Sequence, residues 1–308
     1  MWDIFLQTLP FFALIGLGYG AGRTGFFTAE ATAWLTKFVF YFALSAMLFR
    51  FAANLSIGDI FDWSFVQAYF WGTLLIYVVA NGVALLRRRG IEEAAVEAQC
   101  AVIGNVGFLG IPMLAMLLGA EAIPAVMMVL SVDLIVFGSL IVILITGSRD
   151  GRMSLGILRT VGLGLLKNPM IMSIGMGLIV SALPLSIPGP ADDFLEILGA
   201  AATPGALFAI GASLASKSAE RVAVAGWLSF AKLVLHPAAV GFAALYVFPV
   251  DPYAAGVMIA AAALPVAGNV YILAQHYSVA PHRVSASILI STAVSVFTVS
   301  GVIALVSS

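Results

Sequence analysis

The chain has few charged residues and almost no cysteine. Asp, Glu, Lys and Arg together make up 9% of its 308 residues, whereas a typical soluble domain carries about 25%. Hydrophobic residues make up 62%, and the mean hydropathy is +1.10. This composition excludes a water-soluble fold and predicts an integral membrane protein. The net charge of −1 and the lack of a basic cluster give no indication of a nucleic-acid partner.

Motifs that reveal catalysis or metal binding by their spacing are also absent from the sequence. The single cysteine, Cys100, excludes an intrachain disulfide and a cysteine cluster, and we expect it to be a small buried side chain. No P-loop, GxSxG, HExxH or Cys/His metal spacing occurs. The sequence therefore predicts no cofactor, no metal centre and no ATP-driven pumping by this chain.

Long apolar runs follow one another along the whole sequence. A membrane-spanning helix needs about 20 mainly apolar residues, and ten stretches of this kind occur. They lie at about 4–22, 29–49, 63–86, 94–118, 121–146, 168–185, 194–215, 222–248, 253–277 and 281–306. The first stretch lacks the basic region and the cleavage site of a signal peptide, so we expect it to be retained as a span. We predict an all-α protein with ten transmembrane helices.

The basic residues fall mainly on one side of this arrangement. The connections after the odd-numbered spans carry 11 of the 14 Lys and Arg residues. They are Arg23, Arg87, Arg88, Arg89, Arg149, Arg152, Arg159, Lys167, Lys217, Arg221 and Arg283. The positive-inside rule places these connections in the cytoplasm. We therefore expect a multi-pass protein of the inner (plasma) membrane with both termini on the outer side.

The longest connection divides the spans into two equal sets. Residues 1–146 and 168–308 each contain five spans, and residues 147–167 form the predicted cytoplasmic loop between them. An odd number of spans in each half means that the halves insert in opposite directions, which is the topology of an inverted repeat. The two halves also have a similar pattern of proline and glycine, because Pro10 and Pro169 are each followed by glycines in the first span of their half.

Two apolar runs contain residues that interrupt a helix. Gly104–Pro112 reads GNVGFLGIP in the fourth span, and Leu264–Asn269 reads LPVAGN in the ninth. Proline lacks an N–H and clashes with the preceding turn, while glycine adds backbone freedom. Two interrupted helices at matching positions of two halves indicate a transporter's binding site. We predict that helices 4 and 9 are broken at these motifs, which contain Pro112 and Pro265.

The polar residues beside these breaks are the candidate substrate ligands. A break leaves unpaired N–H groups at the start of the following half-helix, where partial positive charge favours an anion. Asn105 and Asn269 each offer two donors and one acceptor that can orient a carboxylate, and Gly104 and Gly268 precede them. The alternative is that each asparagine only caps its own half-helix.

Three ionisable residues lie within predicted spans. Asp133 is midway along the fifth span, where a charge is costly and indicates function; a bond to a neighbouring helix is the alternative. Lys232 and His236 share one face of the eighth span. The lysine is a candidate to attract an anion, to pair with Asp133 or to snorkel to the surface, and the histidine is a candidate proton relay. These three residues are the candidates for coupling transport to a proton or to another cation.

Several of these stretches resemble the auxin efflux carrier family, which includes the plant PIN-formed carriers and bacterial permeases for malonate or malate. The resemblance rests on the GN-x5-IP pattern at 104–112, ATPGALFAIGASL at 202–214, ALPVAGNVYILAQHY at 263–277 and the ten-span layout. It implies the fold of the bile acid/sodium symporter group, in which helices 4 and 9 cross at their prolines, here Pro112 and Pro265, beside the site. It also implies a scaffold part and a transport part that move by an elevator-type shift. The plant carriers have a long hydrophilic loop between spans 5 and 6, and the short connection here is similar to the bacterial form.

These observations together predict a secondary active transporter, or permease. Its substrate would be a small organic anion, a mono- or dicarboxylate, moved by alternating access around the crossing of helices 4 and 9. One alternative is an intramembrane lipid-group transferase, for which the sequence offers only a single acidic cluster at Asp192, Asp193 and Glu196. Another is a non-transporting receptor on the same fold. The sequence leaves a homodimer open.

Overall fold

The structure is a computed structural model that describes residues 2–54, 62–150, 155–183, 187–215 and 222–306. In chain order the helices are α1 (Trp2–Arg23), α2 (Ala29–Ala53), α3 (Trp63–Leu86), α4 (Ile91–Val102), α5 (Val106–Leu118), α6 (Ala120–Arg149), α7 (Leu155–Leu166), α8 (Pro169–Ala182), α9 (Gly189–Ala215), α10 (Val222–Val247), α11 (Pro252–Ala262), α12 (Gly268–His276) and α13 (Pro281–Val306). These ranges contain no β-strand, so the prediction of an all-α protein is confirmed over them.

Helix length and composition support a multi-pass membrane protein. Among the described residues, seven helices are long and apolar enough to cross a membrane: α1, α2, α3, α6, α9, α10 and α13. An eighth is added if α7 and α8, which meet at a 70° bend, form one span. The predicted fourth and ninth spans are each divided into two shorter helices. Helix α7 lies inside the connection predicted at 147–167; residues 151–154 of that connection, and Arg152, Lys217 and Arg221, lie outside the described residues.

Side-chain caps explain where several of these helices begin. The side chain of Thr28 accepts a hydrogen bond from Ala31 N–H at the start of α2, and that of Asp62 accepts one from Ser64 N–H at the start of α3. Asn168 and Asp251 cap α8 and α11 in the same way, and a proline follows each of them at the first helical position. Such a cap stabilises a helix by about 1 kcal/mol, so short polar stretches between apolar runs fix the helix starts.

The helices form two packed groups. In the first, which we call the panel, α1 packs on α9 and α8 packs on α2. A Cβ at Gly18 or Gly211 would overlap backbone across the α1–α9 contact, and one at Gly177 would overlap backbone of α2. Small residues that bring helix backbones together are the usual basis of packing in membranes. The second group, the core bundle, contains α3–α6 and α10–α13.

Both predicted interruptions exist, but the first lies earlier in the chain than Pro112. Helix α4 ends at Val102, and α5 begins with a π-helical turn at Val106–Gly110. Pro112 lies in the first turn of the α-helical part that follows, a position that tolerates the missing N–H. The second interruption, residues 263–267, contains Pro265. The regular winding is therefore lost at the GN pair of the first motif and at the LPVA segment of the second.

Candidate functional site at the two helix interruptions

The two interruptions lie against each other. Gly104 and Val266 form an isolated antiparallel β-bridge, with one backbone hydrogen bond on each side of it. These bonds join Asn105 N–H to Pro265 O at 2.8 Å and Ala267 N–H to Ile103 O at 3.0 Å. Unpaired peptide groups inside hydrocarbon cost several kcal/mol each, by order of magnitude. Each interruption therefore satisfies part of the backbone that the other has freed.

Four peptide N–H groups at the starts of the following half-helices stay free. They belong to Gly107 and Phe108 at the start of α5 and to Gly268 and Asn269 at the start of α12. Among the described residues, no acceptor bonds any of these four groups. Gly268 is exposed and Asn269 is partly exposed. The free groups carry the partial positive charge of a helix N-terminus, so this region can bind an anion.

Neither candidate asparagine serves as a helix cap. Asn105 lies at the N-cap position of the π-helical turn but makes no side-chain cap bond, and its side chain is buried. Asn269 lies in the first turn of α12, whose N-cap residue is Ala267 and which has no side-chain cap either. The buried Oδ1 of Asn269 has no hydrogen-bond partner in the described part of the chain. The side-chain amides beside the bridge are thus not used for capping.

Lys232 of α10 reaches the same place. Its ammonium group donates a short hydrogen bond to the carbonyl oxygen of Ala262, the last residue of α11. It also lies 3.3 Å from Nδ1 of His236, and a Cβ on Gly104 would lie 3.2 Å from its Nζ. Because Lys232 is fully buried, it does not snorkel to the surface. The cation instead sits at the C-terminal end of a half-helix, where the carbonyl groups carry partial negative charge.

His236 links this lysine to α3. Its Nε2 lies 3.0 Å from the hydroxyl oxygen of Thr73, and both side chains are fully buried. The ammonium group of Lys232 has no lone pair, so Nδ1 of the histidine accepts its hydrogen bond. The ring proton of a neutral imidazole is then on Nε2, which donates to Thr73. The histidine connects two helices of the core bundle in a fixed tautomer.

Asp133 of α6 binds a tyrosine and forms no ion pair with Lys232. The hydroxyl of Tyr69 donates a hydrogen bond of 2.7 Å to its Oδ1, while its buried Oδ2 has no partner among the residues described. The Tyr69 ring packs edge-on against His236, with centroids 5.9 Å apart. Tyr69, Thr73, Asp133, Lys232 and His236 therefore make one buried polar cluster. Reasoning from the sequence missed Tyr69 and Thr73, although their spacing of one helical turn matches that of Lys232 and His236.

Two members of this polar cluster lie in widened helical turns. Asp133 is the first residue of the π-helical segment Asp133–Phe137, and Lys232 lies within the segment Ala231–Leu235. Such segments inside α-helices occur frequently at functional sites. Nothing in the sequence indicated these turns.

A second charged network lies nearer the arginine-bearing end of the core bundle. Glu97 of α4 is fully buried and accepts hydrogen bonds from Arg87 at the end of α3 and from Arg283 of α13. Arg283 also donates to Glu93 at 2.8 Å. The network joins three helices of the core bundle. Sequence reasoning missed it, although an acidic residue inside the predicted fourth span was a signal that could have found it.

An all-helical chain with paired interruptions deep in its bundle belongs to the class of membrane transporters. The chain matches the family described as "Membrane transport protein" over residues 3–303 and belongs to this family, that of the auxin efflux carriers. This confirms the resemblance found in the sequence.

Two bacterial relatives extend over nearly the whole chain. A protein of Rhizobium meliloti (strain 1021) named "Putative malonate transporter" is 31% identical, over 97% of this chain and 95% of its own length. The Escherichia coli (strain K12) protein named "Uncharacterized transporter YfdV" is 26% identical, over 92% of this chain and 91% of its own length. A Mus musculus protein named "Lysosomal cholesterol signaling protein" is 26% identical over 70% of this chain, which covers 26% of that longer protein. The family and the names of the two bacterial relatives indicate a transporter rather than an enzyme.

Proposed function

We propose that the chain is a secondary active transporter of small organic anions, mono- or dicarboxylates such as malonate. The observation that carries the proposal is the pairing of the two interruptions, with four free peptide N–H groups at the starts of the half-helices. Free N–H groups at helix N-termini bind carboxylates without further charge. The name of the Rhizobium relative supports a dicarboxylate of malonate size.

The substrate site is proposed at Gly104, Asn105, Gly268 and Asn269. The asparagine side chains make no cap bonds, so they are free to donate to a carboxylate and to accept from a protonated one. Gly268 is exposed and adds no side chain over the free N–H groups of α12, and Gly104 leaves room for the ammonium group of Lys232. In this proposal, Pro265 lies inside the second interruption and prevents regular helix there. Pro112 follows the first interruption and fixes the direction of α5.

We further propose ten spans arranged as two inverted repeats, residues 1–146 and 168–308, with a cytoplasmic connection at 147–167. Reciprocal contacts in the panel support this arrangement. Gly18 of α1 meets the carbonyl of Phe208 in α9, and Gly177 of α8 meets the carbonyl of Phe49 in α2. Pro10 precedes Gly18 by the same number of residues that separates Pro169 from Gly177. The two hydrogen bonds that flank the central bridge also exchange under a two-fold axis.

The division into two groups supports the proposal of alternating access. The panel is proposed as the scaffold and the core bundle as the moving part that carries the interruptions. The groups meet partly through the buried hydrogen bond between the hydroxyls of Thr8 and Ser300, 2.8 Å long. Few bonds of this kind would have to be exchanged during a sliding movement. A homodimer is not required for this mechanism.

The buried polar cluster is the proposed coupling site, with the proton as the first candidate and sodium as the second. An anion and an ionised Asp133 would repel each other in a low-dielectric interior. Proton binding to the free Oδ2 of Asp133 removes this repulsion, while Lys232 and His236 hold the adjacent end of α11. Uptake of the substrate and of one proton then favour each other. The arginine-bearing connections are proposed to face the cytoplasm of the inner membrane, with both termini outside.

Uptake by purified protein in proteoliposomes tests the proposal. Labelled malonate, malate and indole-acetate would be supplied with and without an imposed pH gradient. We expect saturable uptake of at least one carboxylate, and a loss of about tenfold or more when Asn105→Ala and Asn269→Ala are combined, since two polar contacts are removed. Asn168→Ala, which removes a helix cap on α8, serves as the matched control and should keep the flux. Full uptake by the double variant would remove the assigned site.

The receptor alternative gains some support from the signalling protein of Mus musculus among the relatives. A receptor would bind its ligand without moving it across the membrane. Binding by thermal shift together with no uptake of any tested anion would favour this function. Saturable uptake excludes it as the main activity. For the enzyme alternative, the acidic cluster offers little, because Asp192 and Glu196 both bind Arg50 at 2.8 Å.

A further inference from the structure

Five buried side-chain oxygen atoms of the core bundle lack hydrogen-bond partners among the described residues, and three of them lie on the adjoining helices α3, α4 and α6. These three are the hydroxyl of Tyr77 on α3, Oε1 of Gln99 on α4 and Oδ2 of Asp133 on α6. Buried polar atoms of native proteins are nearly always bonded, and those without a protein partner bond ordered water. A water molecule at each of the three atoms would complete its hydrogen bonding inside the core bundle.

Contacts connect these three groups in a line. The amide nitrogen of Gln99 donates to the carbonyl of Phe137 at 3.3 Å, and the Phe137 and Tyr77 rings are 5.8 Å apart. Phe137 follows Asp133 by one turn of α6, and Tyr77 follows Tyr69, the partner of Asp133, by two turns of α3. The line runs from the carboxyl group towards the end of α3 that carries the three arginines.

In the part of the chain that the structure describes, the two positions that correspond to Gln99 and Tyr77 on the opposite face of the bundle are apolar. If the halves are inverted repeats, the bridge relates Ile103 to Pro265, so Ala261 takes the place of Gln99. On α3 and α10, the contact between the Thr73 and His236 side chains pairs these two positions across the same axis, so Val240 takes the place of Tyr77. Both Ala261 and Val240 are buried and apolar. In both pairs, the polar residue lies on the arginine-bearing side of the centre and its counterpart on the other side is apolar.

We propose that Tyr77 and Gln99 line a hydrated path through which Asp133 exchanges protons with the arginine-bearing face. The proposal rests on the function given above, with Asp133 as the proton carrier. Water delivers a proton to Oδ2 and takes it back along the same path, and no other bond changes. Around Asp133, Tyr69 faces it from α3, and Lys232 and His236 lie on α10. On α4, Glu97 holds two arginines nearer the surface. Tyr77 and Gln99 act as positioning residues for the water.

Thiol labelling tests the path without any measurement of transport. Cys100→Ala removes the only cysteine, and Tyr77→Cys or Gln99→Cys is then introduced into that background. A small membrane-impermeant thiol reagent should label both from the arginine-bearing face and not from the other. Val240→Cys and Ala261→Cys are the matched controls, and they should stay unlabelled from either face. Equal labelling of all four positions, or none at the first two, would overturn the path.

Transport measurements then test its role in coupling. Tyr77→Phe and Gln99→Leu should each reduce malonate accumulation driven by a pH gradient by about tenfold, the effect of one lost polar contact. Malonate exchange at equal pH should persist, because the substrate site is intact. Thr298→Val removes a buried hydroxyl without a partner on α13, so it controls for loss of buried polarity and should keep both activities.

The outcomes separate the path from the proposed function. If Asp133→Asn keeps gradient-driven accumulation, the coupling proposed for Asp133 fails and the path fails with it. If Asp133→Asn abolishes accumulation while the Tyr77 and Gln99 variants retain it in full, the path alone is refuted. Loss of exchange together with accumulation in those two variants would show a structural role and would equally refute the path.

Discussion

Adding one methyl group at Gly104 tests whether Lys232 and the first interruption act together. A Cβ at this position would lie 3.2 Å from Nζ and 3.3 Å from Cε of Lys232, and 3.4 Å from the carbonyl oxygen of Ala261. Favourable carbon contacts are about 3.5–4.0 Å long. The backbone of Gly104 lies outside the left-handed region, so alanine is compatible with it. The ammonium group is then the part that must move, by a few tenths of an ångström.

The size of the effect follows from the bonds that the ammonium group makes. It donates to the carbonyl of Ala262 and to Nδ1 of His236. A hydrogen bond with one charged partner contributes about 1.5–3 kcal/mol, and about 1.4 kcal/mol corresponds to a factor of ten in rate. Partial loss of one such bond in Gly104→Ala should lower kcat/KM for malonate uptake by about tenfold. Gly226→Ala, on the same helix as Lys232 but without a neighbour within 4 Å of the added Cβ, should keep the rate.

A double-mutant cycle in proteoliposomes gives the decisive measurement. Lys232→Met removes the ammonium group and with it the atom that the new methyl group displaces. Gly104→Ala should therefore cost little further in the Lys232→Met background, as expected for residues in contact. Thermal unfolding of each variant shows whether the protein is folded. Additive losses in the double variant would show that the methyl group acts elsewhere and would refute the proposed contact.

Two other substitutions test the packing of the core bundle and of the panel. Glu97→Gln leaves two arginines without their buried partner, so it should lower the free energy of unfolding by about 3–5 kcal/mol, seen as a lower melting temperature in detergent. Glu196→Gln is the control, because this side chain is 60% exposed, and it should change the free energy of unfolding by less than about 1 kcal/mol. Equal shifts in the two variants would contradict the burial argument. In Gly211→Ala the added methyl group would overlap backbone atoms of α1, which cannot move aside as a flexible side chain can. The yield of monodisperse protein should therefore fall sharply. Gly16→Ala is the control, since the added methyl group meets nothing within 4 Å, and it should purify like the parent.

Much of the fold could be predicted from composition and punctuation. Apolar length placed the spans, and cap residues such as Asp62 and Asn168 fixed helix starts near the predicted positions. Two interrupted spans were also predicted, because proline and glycine act on the local backbone. These features depend on neighbours in sequence, and they could be derived without a structure.

The position of the first interruption and the partners of the ionisable groups could not be derived in this way. The proline of the first motif led to the prediction of a break at Pro112. The chain instead unwinds at residues 103–105, where the backbone of the second interruption supplies hydrogen bonds. Lys232 finds its acceptor, the carbonyl of Ala262, on another helix, and Asp133 finds Tyr69. Long-range partners of this kind leave no local pattern. Both halves contain a pair of polar residues one helical turn apart, Tyr69 with Thr73 and Lys232 with His236. This shared spacing was a signal in the sequence for the buried polar cluster.

The arrangement of charges at the interruptions explains why the site should favour an anion. Each broken helix presents a negative pole, its first half ending in free carbonyls, and a positive pole, its second half beginning with free N–H groups. At the end of α11 the negative pole is neutralised by the Lys232 ammonium group. Among the carbonyl groups that follow α4, that of Ile103 accepts a hydrogen bond from Ala267 N–H. The N–H groups at the starts of α5 and α12 keep no such partner within the described ranges, so their partial positive charge stays available for the proposed anion. A carboxylate that binds there completes the hydrogen bonding that the folded chain leaves undone, and a neutral isostere of the same shape should bind far more weakly.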